Sequence, residues 1–151
     1  MARWTGSWLS GPESVLPDST QAYRGERLGL AADGPGSLAG TGRRVLALLA
    51  DWFISVGIAA VLAGPLNASA STMTLLVWAL IGIVSVTLFS FTPGQFFLGM
   101  YVARVDAPVR VGVWRAVVRQ LLLCFLVPAL FTDGDGRGMH DRATGTALIR
   151  R

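Results

Sequence analysis

A single carboxylate set inside an apolar run is the first place where this sequence concentrates chemistry. The stretch Gly42-Arg43-Arg44-Val45-Leu46-Ala47-Leu48-Leu49-Ala50-Asp51-Trp52-Phe53 carries Asp51 seven residues beyond Arg44. On a helix the two share a face, separated by roughly 10 Å along the axis, and Ser55 extends the same stripe one turn deeper. Leu46, Phe53 and Ile54 fall on the opposite side. An aspartate in a hydrocarbon phase costs about 2.5 to 3.5 kcal/mol on insertion scales, so something must offset it. One answer is a partner: Arg119, or Arg115 one turn before it, reaching Asp51 from a later helix. The other is use: a desolvated carboxylate can bind and release a proton or a small cation.

The second chemical feature is His140-Asp141, which has the composition of an acid/base pair. Side chains adjacent in sequence rarely face each other, His140 is the only histidine, and no nucleophile is spaced to match. No catalytic set is therefore expected, and the chain does not read as an enzyme. One histidine with scattered aspartates does not supply a metal-ligand set either, and Cys124, the only cysteine, lies in an apolar run. No metal, cofactor or disulfide is expected, and Cys124 reads as a small buried hydrophobe. Asp141 is expected to cap the turn after Gly138 or to pair with Arg43 or Arg44.

The elements that must position these groups are membrane elements. Apolar residues make up 52% of the 151 and charged residues only 15%. All 13 cations are arginines, which burial cannot neutralise, although an all-arginine set also fits a GC-rich genome. Val45 to Ala63, closed by Gly64-Pro65, is long enough to cross the bilayer's hydrocarbon core, and so is the uncharged run Met73 to Phe91, closed by Thr92-Pro93-Gly94. Gly82 and Ser85 offer small residues for packing the second span against the first as an antiparallel hairpin. Arg43 and Arg44 stand at one end of the first span, and the connection Gly64 to Thr72 is uncharged. The positive-inside rule then places the N-terminus in the cytoplasm of a multi-pass protein of a bacterial plasma membrane. The N-terminal residues lack the compact apolar stretch of a secretion signal, so the first span is expected to serve as its own targeting element.

Beyond the second span, Pro93 to Arg115 holds Arg104, Arg110 and Arg115 against Asp106. Met100 to Val105 and Val109 to Val113 are β-branched-rich runs around Asp106-Ala107-Pro108, predicted as a small cytoplasmic β-hairpin to which Thr146 to Arg150 adds a strand. Ala116 to Phe131 contains Arg119, Gln120 and Pro128, leaving only Leu121 to Phe131 free of charge, too short to span. A tilted or re-entrant third helix that keeps the tail inside is preferred, a full third span being the alternative. The expected fold is thus a membrane all-α one: a two-helix hairpin, a short third hydrophobic helix and a β-hairpin, covering about residues 42–150. Residues 1–41, rich in Gly, Ser and Pro, read as an extended cytoplasmic arm in which Trp4, Trp8 and Leu9 suit the membrane interface or a docking surface.

Four blocks of this sequence together resemble the RDD family of small integral membrane proteins, in an actinobacterial-like form. They are Arg44-x-x-Ala47-x-x-x-Asp51, Thr92-Pro93-Gly94-Gln95-Phe96-Phe97-Leu98-Gly99, Arg115-Ala116-Val117-Val118-Arg119, and Gly138-Met139-His140-Asp141-Arg142-Ala143-Thr144-Gly145-Thr146. The resemblance identifies Arg44, Asp51 and Asp141 as the residues for which the family is named. Gln95 departs from a position that is usually basic, with a weaker phosphate or headgroup contact as the implied consequence, and Thr144 from one that is commonly small or apolar. Cation/proton antiport has been proposed for some members.

Two functional classes follow. The first is an accessory or scaffolding membrane component that binds a protein partner through its arm and cytoplasmic face. The second is a cation/proton-coupled transporter acting as a homo-oligomer, since two or three helices enclose no pathway alone, with Asp51 as its ion site. Contact of Arg104 and Arg110, with Arg115 and Arg119, to anionic lipid headgroups is compatible with either. Nucleic acid is excluded as a partner, because the basic pI reflects topology-setting arginines and not a basic face with stacking aromatics.

Overall fold

The computed structural model describes residues 22–64, 69–125 and 137–151. Trp4, Trp8 and Leu9, part of the connection between the spans, and the last part of the third apolar stretch lie outside these residues. Helix α1 runs Thr41–Ala63 and α2 runs Ala70–Phe89, 23 and 20 residues long. At 1.5 Å per residue they extend about 34 and 30 Å, enough to cross a bilayer core. They pack on one another as an antiparallel pair. A helix this apolar in a soluble protein would be mostly buried, whereas Leu46, Phe53, Val61, Leu62, Leu80 and Phe89 all point outward, Phe53 with 69% and Val61 with 85% of their surface exposed. The inward stripe is instead mostly small or polar: Arg44, Ala47, Asp51, Ser55 and Ala59 on α1, and Thr74 and Gly82 with the apolar Trp78 and Val86 on α2. This inversion suits lipid on the outside, and the chain is a small membrane protein.

The hydroxyls on that stripe satisfy their own helices, Ser55 Oγ donating to the Asp51 carbonyl and Thr74 Oγ1 to that of Ala70. α2 ends at Ser90, a non-glycine residue in the left-handed region. The chain then turns into α3, Pro93–Phe97, which starts on a complete capping box: Thr92 Oγ1 accepts from the Gln95 amide, and Gln95 Oε1 accepts from the Thr92 amide. Proline at the first helical position fits, because that amide has no partner within the helix. Gln95, where the family resemblance leads one to expect a basic residue, is buried and completes the cap.

Strand β1, Met100–Arg104, pairs antiparallel with β2, Thr146–Arg150, with Met100 opposite Arg150 and Arg104 opposite Thr146. The hairpin expected over residues 100–113 does not form. Pro108 interrupts it, Asp106 is held by Arg104 and Arg115, and Val111 dives into the core instead of facing Met100. The true partner of β1 comes from the far end of the chain. Of the arm expected over residues 1–41, the described part carries a short 3-10 turn, Glu26–Leu28, and then lies along the other edge of β2. There the Ala39 amide donates to the Leu148 carbonyl and the Arg150 amide to that of Ser37.

Alternation along the strands separates two cores. Met100, Val102 and Leu148 pack with Val111, Ala116, Ala39, Ala47 and Val86 against the ends of α1, α2 and α4, while Ala147 and Ile149 pack with Leu38 on the outer face. Helix α4, Val113–Cys124, turns Ala116, Arg119, Gln120 and Leu123 inward and leaves Trp114, Leu121 and Cys124 exposed. Cys124 is therefore not the buried hydrophobe expected, because it sits on the outward face at the helix end. A Cβ at Gly82 would run into the Gln120 amide, so this small residue admits α4 as well as any neighbour on α1. A short helix α5, Met139–Ala143, leads into β2.

Candidate functional site

The polar centre is assembled where α1, α3, α4 and α5 meet. Four charged side chains there are almost wholly enclosed: Arg44, Asp51, Arg119 and Asp141 are exposed by 4, 5, 3 and 0%. Two guanidiniums face two carboxylates, a balance that burial of charge requires.

Asp51 is held by the start of α3. Its Oδ2 accepts from the Thr92 hydroxyl at 2.5 Å and its Oδ1 from the Gly94 amide at 2.7 Å. The approach is close enough that a Cβ on Gly94 would strike the Ala47 carbonyl oxygen and the Asp51 carboxylate. The arginine partner expected for Asp51 goes elsewhere. Arg119 Nη1 donates to Asp141 Oδ1 at 2.5 Å, and Arg115 donates to the Thr144 carbonyl at 2.7 Å and to Asp106 Oδ2 at 2.9 Å. The physical reason is geometric: the Thr92 hydroxyl and Gly94 amide already occupy the carboxylate, and α5 brings a second carboxylate to Arg119. The signal for Thr92 was present in the sequence, since Thr92-Pro93-Gly94-Gln95 has the form of a capping box, but nothing local says what the capped turn will face.

Asp141 lies at the centre of a cationic cage. Besides Arg119, Arg44 Nη1 stands 3.8 Å from its Oδ2, and His140 Nε2 stands 3.3 Å from its Oδ1. Arg44 Nε also donates to the Ala39 carbonyl at 2.9 Å, which ties α1 to the segment along β2. The His140 ring reaches its neighbour by folding back over Gly138, where a Cβ would collide with it; adjacent side chains do meet here because glycine leaves the room. Asp141 makes no cap on its own helix. Thr144 Oγ1 donates to the His140 carbonyl at 2.8 Å and lies 2.9 Å from Thr146 Oγ1, so this hydroxyl is built into the turn. Burial opposes ionisation of Asp141, but attraction by Arg119, then His140 and Arg44, outweighs it and holds the carboxyl below its ordinary value.

A cavity of about 10 Å³ lies between α1, α2, α3 and α4, lined among others by Asp51, Thr92, Gln95, Arg119 and Gln120. That is at the lower limit of the room one water molecule needs. Arg119 thus faces the same small space as Asp51 while bonding Asp141. Outside the centre, Arg104 makes a two-point contact with Asp106, Nε to Oδ1 at 2.9 Å and Nη2 to Oδ2 at 2.6 Å. That hydrogen bond holds Asp106 well below the usual carboxylate range. Of the four arginines considered for lipid headgroups, Arg104, Arg115 and Arg119 are thus engaged within the protein. Arg110 is exposed and makes no ion pair among the described residues. The described residues include no cluster of three or more His, Cys, Asp or Glu side chains able to hold a metal ion.

The model of the RDD family matches residues 38–145, a range that contains every member of the polar centre. No curated protein and no solved structure matches the chain.

Proposed function

This chain belongs to the RDD family, and from that premise we propose that it is a non-enzymatic accessory or scaffolding component of a bacterial plasma membrane. In this reading it crosses the membrane as a multi-pass protein with its N-terminus in the cytoplasm. The observation that supports it is the arrangement of the polar centre: among the described residues each buried carboxylate is bonded to donors of another element, and the cavity beside Asp51, about 10 Å³, is too small for a substrate. Such a centre works as a latch that fixes α3, α4 and α5 to α1. The sheet and the segment beside it then form a rigid platform at the end of the spans, suited to holding a protein partner. The test is crosslinking in native membranes followed by purification of the full chain. A defined partner recovered in constant ratio is the expected result; a protein recovered only with itself counts against the reading.

A second reading, cation/proton-coupled transport by a homo-oligomer through Asp51, draws support from the small cavity beside Asp51. Exchange in proteoliposomes decides it. Transport that Asp51→Asn abolishes favours this reading, and equal flux in wild type and variant removes Asp51 as an ion site.

A further inference from the structure

A second polar space lies away from the latch, where the described part of the arm, the end of β2 and the start of α1 come together. It is a groove of about 390 Å³ lined by Tyr23, Arg24, Asp33, Gly40, Arg43 and Arg150, with four further uncharged residues completing the wall. Three guanidiniums and one carboxylate leave it with an excess of positive charge. Arg43 donates to the Leu98 carbonyl at 3.2 Å, which leaves its charge uncompensated. Among the described residues neither Arg24 nor Arg150 nor Asp33 makes an ion pair. α1 begins at this groove on Gly40, with no side chain capping it, and a Cβ at Gly40 or Gly42 would meet open space. The first turn of this 23-residue helix is only partly covered, Thr41 being half-buried and Gly42 exposed, at the end where the helix dipole is positive.

We propose that this groove binds a phosphate group, held by Arg24, Arg43 and Arg150 and by the start of α1. Guanidiniums match phosphate oxygens two at a time, and the volume admits a phosphate carrying an organic substituent. Tyr23, Arg24 and Asp33 precede the residues matched by the family, so the arm adds the site to the common domain. The groove opens where α1 enters its span. A phospholipid headgroup and a soluble phosphate ester present the same chemistry there.

The test uses the full chain in nanodiscs and follows thermal unfolding in two arms. One arm adds inorganic phosphate to phosphatidylcholine discs; the other replaces part of the phosphatidylcholine with phosphatidylglycerol. Stabilisation in the first arm assigns a soluble phosphate, and stabilisation confined to the second assigns a lipid headgroup. In either case the double variant Arg24→Gln, Arg150→Gln is expected to weaken binding at least roughly tenfold, as loss of two charge-assisted hydrogen bonds requires. Asp33→Asn strengthens it, and Arg142→Gln, an exposed arginine outside the groove, leaves it unchanged. No shift in either arm, or a shift that the double variant retains, overturns the proposal. Should the double variant fail to fold, Asp33→Asn still decides, because unchanged or weaker binding in that variant overturns it as well.

Discussion

Asp51 and Asp141 are both buried carboxylates, yet one is held by uncharged donors and the other by guanidiniums. Asp51 sits within the apolar helix α1, and its hydroxyl and amide donors bring no second charge that must also be stripped of water. Asp141 sits on a short helix outside the spans, where Arg119 and Arg44 converge on it from α4 and α1. The contrast teaches that an acid in a membrane helix is not by itself an ion site. A capped turn from another element can take up its lone pairs, and the arginine nearest in expectation can serve a different acid.

The largest effect that would sharpen this contrast is expected for Arg119→Ala. It leaves Asp141 buried without its shortest partner, a loss of about 3–5 kcal/mol in unfolding measured in detergent. The fingerprint is in the pH dependence. Asp141 is held below its ordinary value of 3.8, so its contribution is complete at neutral pH and is lost as the pH falls below that value. The variant should lack this acid limb; a variant as stable as wild type with the same acid limb would dissolve the cage as a structural unit.

Next comes Gly94→Ala, where the new methyl meets backbone of α1 and cannot be accommodated by a rotamer change, at a cost of about 1–3 kcal/mol. Gly82→Ala meets only the end of the Gln120 side chain, which can move, so its cost is smaller in the same unfolding assay. Equal costs would mean that α3 does not sit as tightly on α1 as Asp51 requires.

A double-mutant cycle then tests the partner directly. Asp51→Asn with Thr92→Val should show a coupling of about 0.5–3 kcal/mol, larger than that of Asp51→Asn with Arg119→Gln. The reverse order would return Asp51 to the arginine pairing that the sequence suggests. The smallest effect belongs to the exposed pair, since solvent screens it: Arg104→Ala should leave thermal stability unchanged within error, despite its two short contacts to Asp106.

Much of the candidate site was legible before folding. The face shared by Arg44, Asp51 and Ser55 is a consequence of helical spacing, and all three are buried together. The outward set of Leu46 and Phe53 follows from the same periodicity. The capping box at Thr92 was written in four consecutive residues. What misled was proximity in the sequence: Val109 to Val113 looked like the partner of β1, and Arg119 looked like the partner of Asp51.

Local rules reach about one helical turn or one hairpin, and within that reach the amino-acid sequence determined this protein. It set two helices long and apolar enough to cross a membrane, their polar stripe, the capped turn after the second and the need for Asp51 to be bonded. Only the tertiary structure decided to what. The Thr92–Asp51 bond closes over 41 residues and the Arg119–Asp141 pair over 22, and β2 returns from the end of the chain to meet β1. Choices of that range depend on which surfaces pack once α3, α4 and α5 are in place, because a carboxylate accepts from whichever donors the packing brings within reach.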